Sequence, residues 1–171
     1  MSRLHFPEFD RLESIDLSGI TGLDYGFLVP IHGLRELTLA NAGLNDLSLA
    51  QLPNLPALKR LVLDGNDIRG TGLAHLSPGA PGELIDLSLG CPTLTDLFAK
   101  KLAELKQLKR LSLAGSGLSD AGIKHLAGLT NLESLDLRRT KASAAGIAEL
   151  QKTLPNSTIV RDGGESENGT K

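Results

Sequence analysis

Apolar and polar residues follow one another along this chain in a frame that recurs. In Leu108-Lys109-Arg110-Leu111-Ser112-Leu113-Ala114-Gly115-Ser116-Gly117-Leu118 the pattern is LxxLxLxxNxL, with Ser116 in the Asn position. The frame starts again at Leu132 (with Leu135, Leu137, Thr140 and Ala142) and at Leu58 (Leu61, Leu63, Asn66, Ile68). It also starts at Leu34 (Leu37, Leu39, Ala42, Leu44), Leu84 (Leu87, Leu89, Pro92, Leu94) and Leu12 (Ile15, Leu17, Ile20, Leu23). Starts at 12, 34, 58, 84, 108 and 132 give steps of 22, 24, 26, 24 and 24 residues, the signature of an internal repeat.

Each unit divides in two. Leucines alternate with polar or small residues in the LxLxx half, the period of a strand with one buried face. The other half carries apolar residues at helical spacing, as in Ile123, Leu126 and Leu129, or Ile147, Leu150 and Leu154. Fifteen residues after the frame starts, Phe27, Leu49, Leu73, Ala99, Ile123 and Ile147 form a second ladder, in which Phe98 is expected to supply the volume that Ala99 lacks. Asn45, Thr71, Asp96, Ser119 or Asp120, and Ser143 are the expected helix N-caps. Strand, turn, short helix and return, six times over, predict an α/β right-handed solenoid with a parallel sheet on one face and short helices on the other.

The clearest copies are Leu118-Ser119-Asp120-Ala121-Gly122-Ile123-Lys124-His125-Leu126 and Ala145-Gly146-Ile147-Ala148-Glu149-Leu150. With the ending Leu154-Pro155-Asn156-Ser157-Thr158-Ile159, they resemble the bacterial leucine-rich repeat (LRR) written LxxLxLxxTxLTDAGLxxLxxLxx, abundant in Planctomycetes-like bacteria. Gly90-Cys91-Pro92-Thr93-Leu94-Thr95-Asp96 is also similar to the cysteine-containing repeats of F-box-associated proteins. The resemblance covers about residues 9 to 160 and implies an LRR solenoid that binds other proteins through its concave sheet. There are departures. Only Asn66 keeps the Asn that ties neighbouring turns together in the family; Ser116 and Thr140 can make part of that bonding, whereas Ile20, Ala42 and Pro92 cannot. The first unit is the most divergent, and Gly79-Ala80-Pro81-Gly82 lengthens the third return loop.

The expected organisation is a partial turn or cap over 1–11, the solenoid over 12–160 and a disordered polar tail over 161–171. Phe6 and Phe9 are the available cover for an N-terminal strand at 14–18. An edge so thinly screened would permit end-to-end self-association.

Composition narrows the function. The 171 residues carry 18 Lys+Arg against 20 Asp+Glu, a net charge of −2, which argues against nucleic acid or an anionic membrane as the main partner. No apolar run approaches the ~20 residues of a membrane span, and Met1 to His5 lacks the apolar stretch of a secretory signal, so a cytoplasmic location is expected. The single Cys91 excludes an internal disulfide framework and a Cys-rich zinc site. His75 and His125 share a slot two units apart, roughly 10 Å at the spacing of strands, too far for one metal ion. No phosphate-binding loop is present. Without a signal sequence, the sequons at Asn156 and Asn168 read as coincidence. No metal, cofactor or catalytic residue is expected, and an enzyme is not the expected class.

The concave face reads as three columns. The third frame position gives Ser14, Glu36, Arg60, Asp86, Arg110 and Ser134; the fifth gives Asp16, Thr38, Val62, Ser88, Ser112 and Asp136; the seventh gives Ser18, Ala40, Asp64, Gly90, Ala114 and Arg138. The candidate binding face is Glu36, Thr38, Arg60, Val62, Asp64, Asp86, Ser88, Arg110, Ser112, Ala114, Asp136 and Arg138. Alternating signs at Glu36, Arg60, Asp86 and Arg110 predict a self-neutralised ladder, with a ligand meeting the small-residue lane of Ser88, Gly90, Ser112 and Ala114 beside it. The expected function is non-catalytic binding of a protein partner. The alternative is an architectural segment joined to another domain or another copy of itself.

Overall fold

The structure, a computed structural model, describes residues 11–72 and 84–163. The readings placed on Phe6, Phe9, Leu73, His75, the 79–82 loop and the tail beyond Gly163 lie outside the described residues.

Seven three-residue strands form one parallel sheet in chain order: β1 (Ser14–Asp16), β2 (Glu36–Thr38), β3 (Arg60–Val62), β4 (Asp86–Ser88), β5 (Arg110–Ser112), β6 (Ser134–Asp136) and β7 (Thr158–Val160). The first six stand in the six frames, and β7 is the short closing strand expected from Ser157 to Val160. Their register aligns Ile15, Leu37, Leu61, Leu87, Leu111, Leu135 and Ile159. From Leu37 to Leu135 this inward row is buried because each leucine lies between two neighbouring strands, and Ile159 on the closing strand is buried as well. The opposite wall is made by α1 (Asp46–Ala50), α2 (Asp96–Leu102), α3 (Asp120–Ile123), which runs on as a 3-10 turn over Lys124–Gly128, and α4 (Ala144–Thr153). Leu49, Ala99, Ile123 and Ile147 are buried there as the second ladder requires, and Phe98 packs partly buried against the core beside Ala99.

Two expectations fail on this side. Phe27 is 46% exposed; Tyr25 and Leu28 face inward instead. Unit one forms a 3-10 helix over Tyr25–Leu28, and three residues per turn move the buried positions off the α-helical ladder. Asp96 is the first residue of α2 rather than its N-cap, which is Thr95.

The aspartate has another task. Asp96 accepts the backbone N–H (2.7 Å) and hydroxyl (2.5 Å) of Ser119 in the next unit. Asp120 does the same for Ser143 at 2.6 and 2.7 Å, and Asp46 accepts the N–H groups of Gly70 and Gly72. Ser119 and Ser143 in turn cap α3 and α4 by accepting from Ala121 and Gly146 N–H. Asp96 and Asp120 therefore secure the capping residue of the following helix, and Asp46 secures the equivalent stretch of the third unit. The Asp-Ala-Gly spacing follows, since a Cβ on Gly122 or Gly146 would lie 2.2 Å from the carboxylate oxygen of Asp96 or Asp120. Gly70 occupies this aspartate slot in the third unit, and the Thr95 cap that it would have served makes no side-chain bond.

The hydrogen bonds from Ser143, first its hydroxyl and then its N–H, hold the Asp120 carboxyl below the usual carboxylate value of 3.8. At Asp46, burial opposes ionisation, and bonds from Gly72, Gly70, Thr71 and Arg69 together outweigh it. A carboxyl whose native pKa is depressed contributes stability that is present above its unfolded value and is lost as pH falls through the native value. Asp120→Asn should therefore flatten the loss of urea midpoint between about pH 5 and pH 2. An acid limb identical to that of the parent chain would show that the interhelical carboxylate carries none of it.

The turns after the strands explain the uneven use of the Asn position. Seven residues after the frame start the backbone is left-handed at Gly19 (φ 75), Asn41 (φ 52), Gly65 (φ 72), Gly115 (φ 79) and Arg139 (φ 56). Cys91, at the same slot, does not share this conformation. Buried Asn66 accepts from Leu44 N–H (3.0 Å) and donates to the carbonyls of Leu39 (2.8 Å) and Leu63 (2.7 Å). One unit later Pro92 holds the Asn position, and the Cys91 thiol turns inward to donate to Leu63 O at 3.2 Å, the carbonyl equivalent to Leu39 O. Burial pushes this thiol up to about 11, so it is a protonated hydrogen-bond donor rather than a nucleophile.

Candidate functional site

The candidate residues stand together on the concave face. Strand register sets Glu36, Arg60, Asp86, Arg110 and Ser134 side by side, and next to them Thr38, Val62, Ser88, Ser112 and Asp136. Asp64, Gly90, Ala114 and Arg138 follow at the strand ends, where the chain stays paired across the sheet, as in Gly65 N–H to Gly90 O at 3.0 Å.

Charge converges at the middle strand. Arg110 Nε donates to Asp86 Oδ2 at 2.8 Å, and Arg60 Nε lies 3.8 Å from the same oxygen. Both arginines thus reach an acidic neighbour, as the alternating signs require, but they share one. Among the described residues Glu36 forms no ion pair within 4.0 Å, so the expected four-residue ladder is a cluster of three. The Asp86 side chain is only 17% exposed, whereas those of Arg60 and Arg110 are 53% and 52% exposed. The carboxylate sits low between two guanidinium groups that stand above it. Hydrogen bonding to Asp86, ahead of its plain Coulombic attraction, holds the Arg110 guanidinium more firmly in its charged form.

The small-residue lane is less available than its composition suggests. Ser88 Oγ donates to Asp64 at 2.7 and 2.9 Å, and Gly90 N–H donates to the same carboxylate at 2.6 Å. Those donors are spent inside the sheet. Farther along, Arg138 is held by Asp136, the last residue of β6, Nη2 to Oδ2 at 2.5 Å, in a pair that also draws on Arg138 N–H.

Elsewhere the chemistry is sparse. Among the described residues no group of three or more His, Cys, Asp or Glu is placed to hold a metal ion, and His125 is exposed. No described helix is long and apolar enough to cross a membrane. A small cleft at the C-terminal end is lined by Leu137, Thr140, Ala142, Ala144, Ile147, Arg161 and Asp162. In the register of β7, Arg161 stands where the other units place a leucine. The polar stretch expected to be disordered from Arg161 is ordered at its start, where 162–163 form a turn and Asp162 accepts from Arg139 N–H at 2.6 Å.

A single parallel sheet backed by short helices, built from leucine frames of about 24 residues, is the architecture of a leucine-rich-repeat solenoid, and the chain is a protein of that class. Similar solved structures share it. An internalin C2 from Listeria monocytogenes is 21% identical, with a TM-score of 0.60 over 90% of this chain and 72% of that one. A leucine-rich-repeat protein of Leptospira interrogans is 25% identical, with a TM-score of 0.55 over 78% of this chain and 38% of its own length. No protein-family model matches the sequence, and a search of curated proteins finds no match.

Proposed function

We propose that the chain is a non-catalytic protein-binding module whose partner seats on the concave sheet between β2 and β6. The supporting observation is the registered floor of side chains from five strands, low along Ser88, Gly90, Ser112 and Ala114 and raised beside it by Arg60 and Arg110. Such a surface offers shape and polar contacts to a protein segment without any group fitted to activate a substrate. The test is selection of a random-peptide library on the purified chain, followed by affinity measurement on variants. Ser112→Arg, which fills the floor, should weaken the selected binders by about tenfold or more. Leu97→Asp on the helical side should leave them within about twofold.

A second reading has an observation of its own. Leu47 and Leu97, the second residues of α1 and α2, occupy equivalent positions and are 69% and 77% exposed. Apolar side chains so exposed suit lateral packing against another domain or a second copy, the architectural alternative. Binders sensitive to Leu97→Asp and indifferent to Ser112→Arg would favour it and overturn the concave reading.

A further inference from the structure

We infer that Arg60 and Arg110 are the anchor by which the concave face recognises a partner protein, and that the group they take is a side-chain carboxylate on an acidic segment of that partner; this rests on the concave-face reading. Three observations point the same way. The first is geometry. Both guanidinium groups turn Nε toward one Asp86 oxygen, at 2.8 and 3.8 Å, and among the described residues the terminal nitrogens of neither donate a hydrogen bond. Arg110 is held by a hydrogen bond from its inner nitrogen and Arg60 is drawn to the same oxygen as an ion pair, so both planar forks keep their outer N–H groups for a ligand, in the geometry that binds carboxylates bidentately. Strands β3 and β5 are two steps apart, and it is Asp86 on the strand between them that draws the two groups over one spot.

The second observation concerns the charged donors. Asp64 already takes Ser88 Oγ and Gly90 N–H, and Asp136 takes Arg138, so around the sheet centre the outer N–H groups of Arg60 and Arg110 stand beside the hydroxyls of Thr38 and Ser112 as donors that make no bond within the sheet among the described residues. The third is the local charge. In a chain of net charge −2, the strand starts of β2 to β5 and the residues just before them hold five cations, Arg35, Lys59, Arg60, Lys109 and Arg110, against two anions, Glu36 and Asp86. Among these, Arg35 is 3.7 Å from Glu13 and Lys109 is 2.9 Å from Glu133, whereas Arg60 and Arg110 share the single carboxylate of Asp86, which leaves that cluster of three with one net positive charge. An acidic segment complements that field.

Asp86 is then a positioning residue, and its substitution separates two accounts. If the arginines acted as loose point charges, removing the negative charge beneath them would strengthen an acidic ligand. If Asp86 aligns the forks, removing it weakens the ligand.

The experiment uses the peptides selected on the intact chain and titrates them calorimetrically into wild type, Arg110→Ala, Arg110→Lys, Asp86→Asn and Ser112→Arg, each first shown to melt cooperatively by circular dichroism. The expected result is enrichment of Asp and Glu among the peptides and a loss of about tenfold or more with Arg110→Ala. Arg110→Lys should restore little of that loss, since an ammonium lacks the fork, and Asp86→Asn should weaken binding rather than tighten it. Peptides that lose affinity with Ser112→Arg but show no acidic enrichment and ignore Arg110→Ala would overturn the anchor and leave concave binding intact. Tighter binding to Asp86→Asn would overturn the alignment of the forks. Peptides indifferent to every concave substitution, or no enrichment over an uncoated surface, would overturn both readings.

Discussion

Leu111→Ala is expected to cost about 2–5 kcal/mol of unfolding free energy. Leu111 lies on β5, registered between Leu87 and Leu135, and all three are buried. Truncation removes apolar surface and leaves a cavity that two flanking repeats, fixed by the sheet, cannot collapse to fill. The loss is large beside the 5–15 kcal/mol that typically separates folded from unfolded domains. Ile15, at the equivalent position of β1, is only partly buried, so Ile15→Ala should cost distinctly less. Urea denaturation of both variants checks the ordering. A cost under about 1 kcal/mol for Leu111→Ala would reject the buried row.

Asn66→Ala should destabilise by about 2–4 kcal/mol, with little change in apolar burial. Asn66 is 3% exposed and joins two units through Leu44 N–H, Leu39 O and Leu63 O. Alanine fills none of these bonds, and buried backbone groups left without partners cost about 1–3 kcal/mol each. Asn66→Asp is the sharper companion. It keeps an acceptor for Leu44 N–H but sets a carboxylate against two carbonyl oxygens, so it should be no better tolerated than alanine. Denaturant melts that place either variant within about 0.5 kcal/mol of the parent would show that the bridge carries no load.

Much of this molecule is written in its period. A leucine every 24 residues or so fixes which side chains share a row, because parallel strands one repeat apart lie in register. That is why the columns of the concave face, the buried leucines and the caps at Asn45, Ser119 and Ser143 could be read before any coordinates. Side-chain reach is not periodic. The convergence of Arg60 and Arg110 on Asp86, and the capture of Ser88 and Gly90 by Asp64, depend on side-chain rotamers, which alternating signs do not specify. The Cys91 exchange was hidden for another reason. Its slot holds a left-handed residue in five other units, so an inward turn there is visible only against the backbone. A signal existed all the same, since Gly19, Gly65 and Gly115 recur at that slot and Cys91 interrupts them. Phe27 misled because hydrophobic size was right and the helix type was not.

Concave binding is tested most plainly by site-specific photo-crosslinking of a selected peptide, with a benzophenone side chain placed at Thr38, at the margin of the concave seat and clear of its floor, or, separately, at Leu97 on the helical side. A peptide adduct is expected from position 38, abolished by excess unlabelled peptide, and none from position 97. An adduct from position 97 with none from 38 would contradict concave binding.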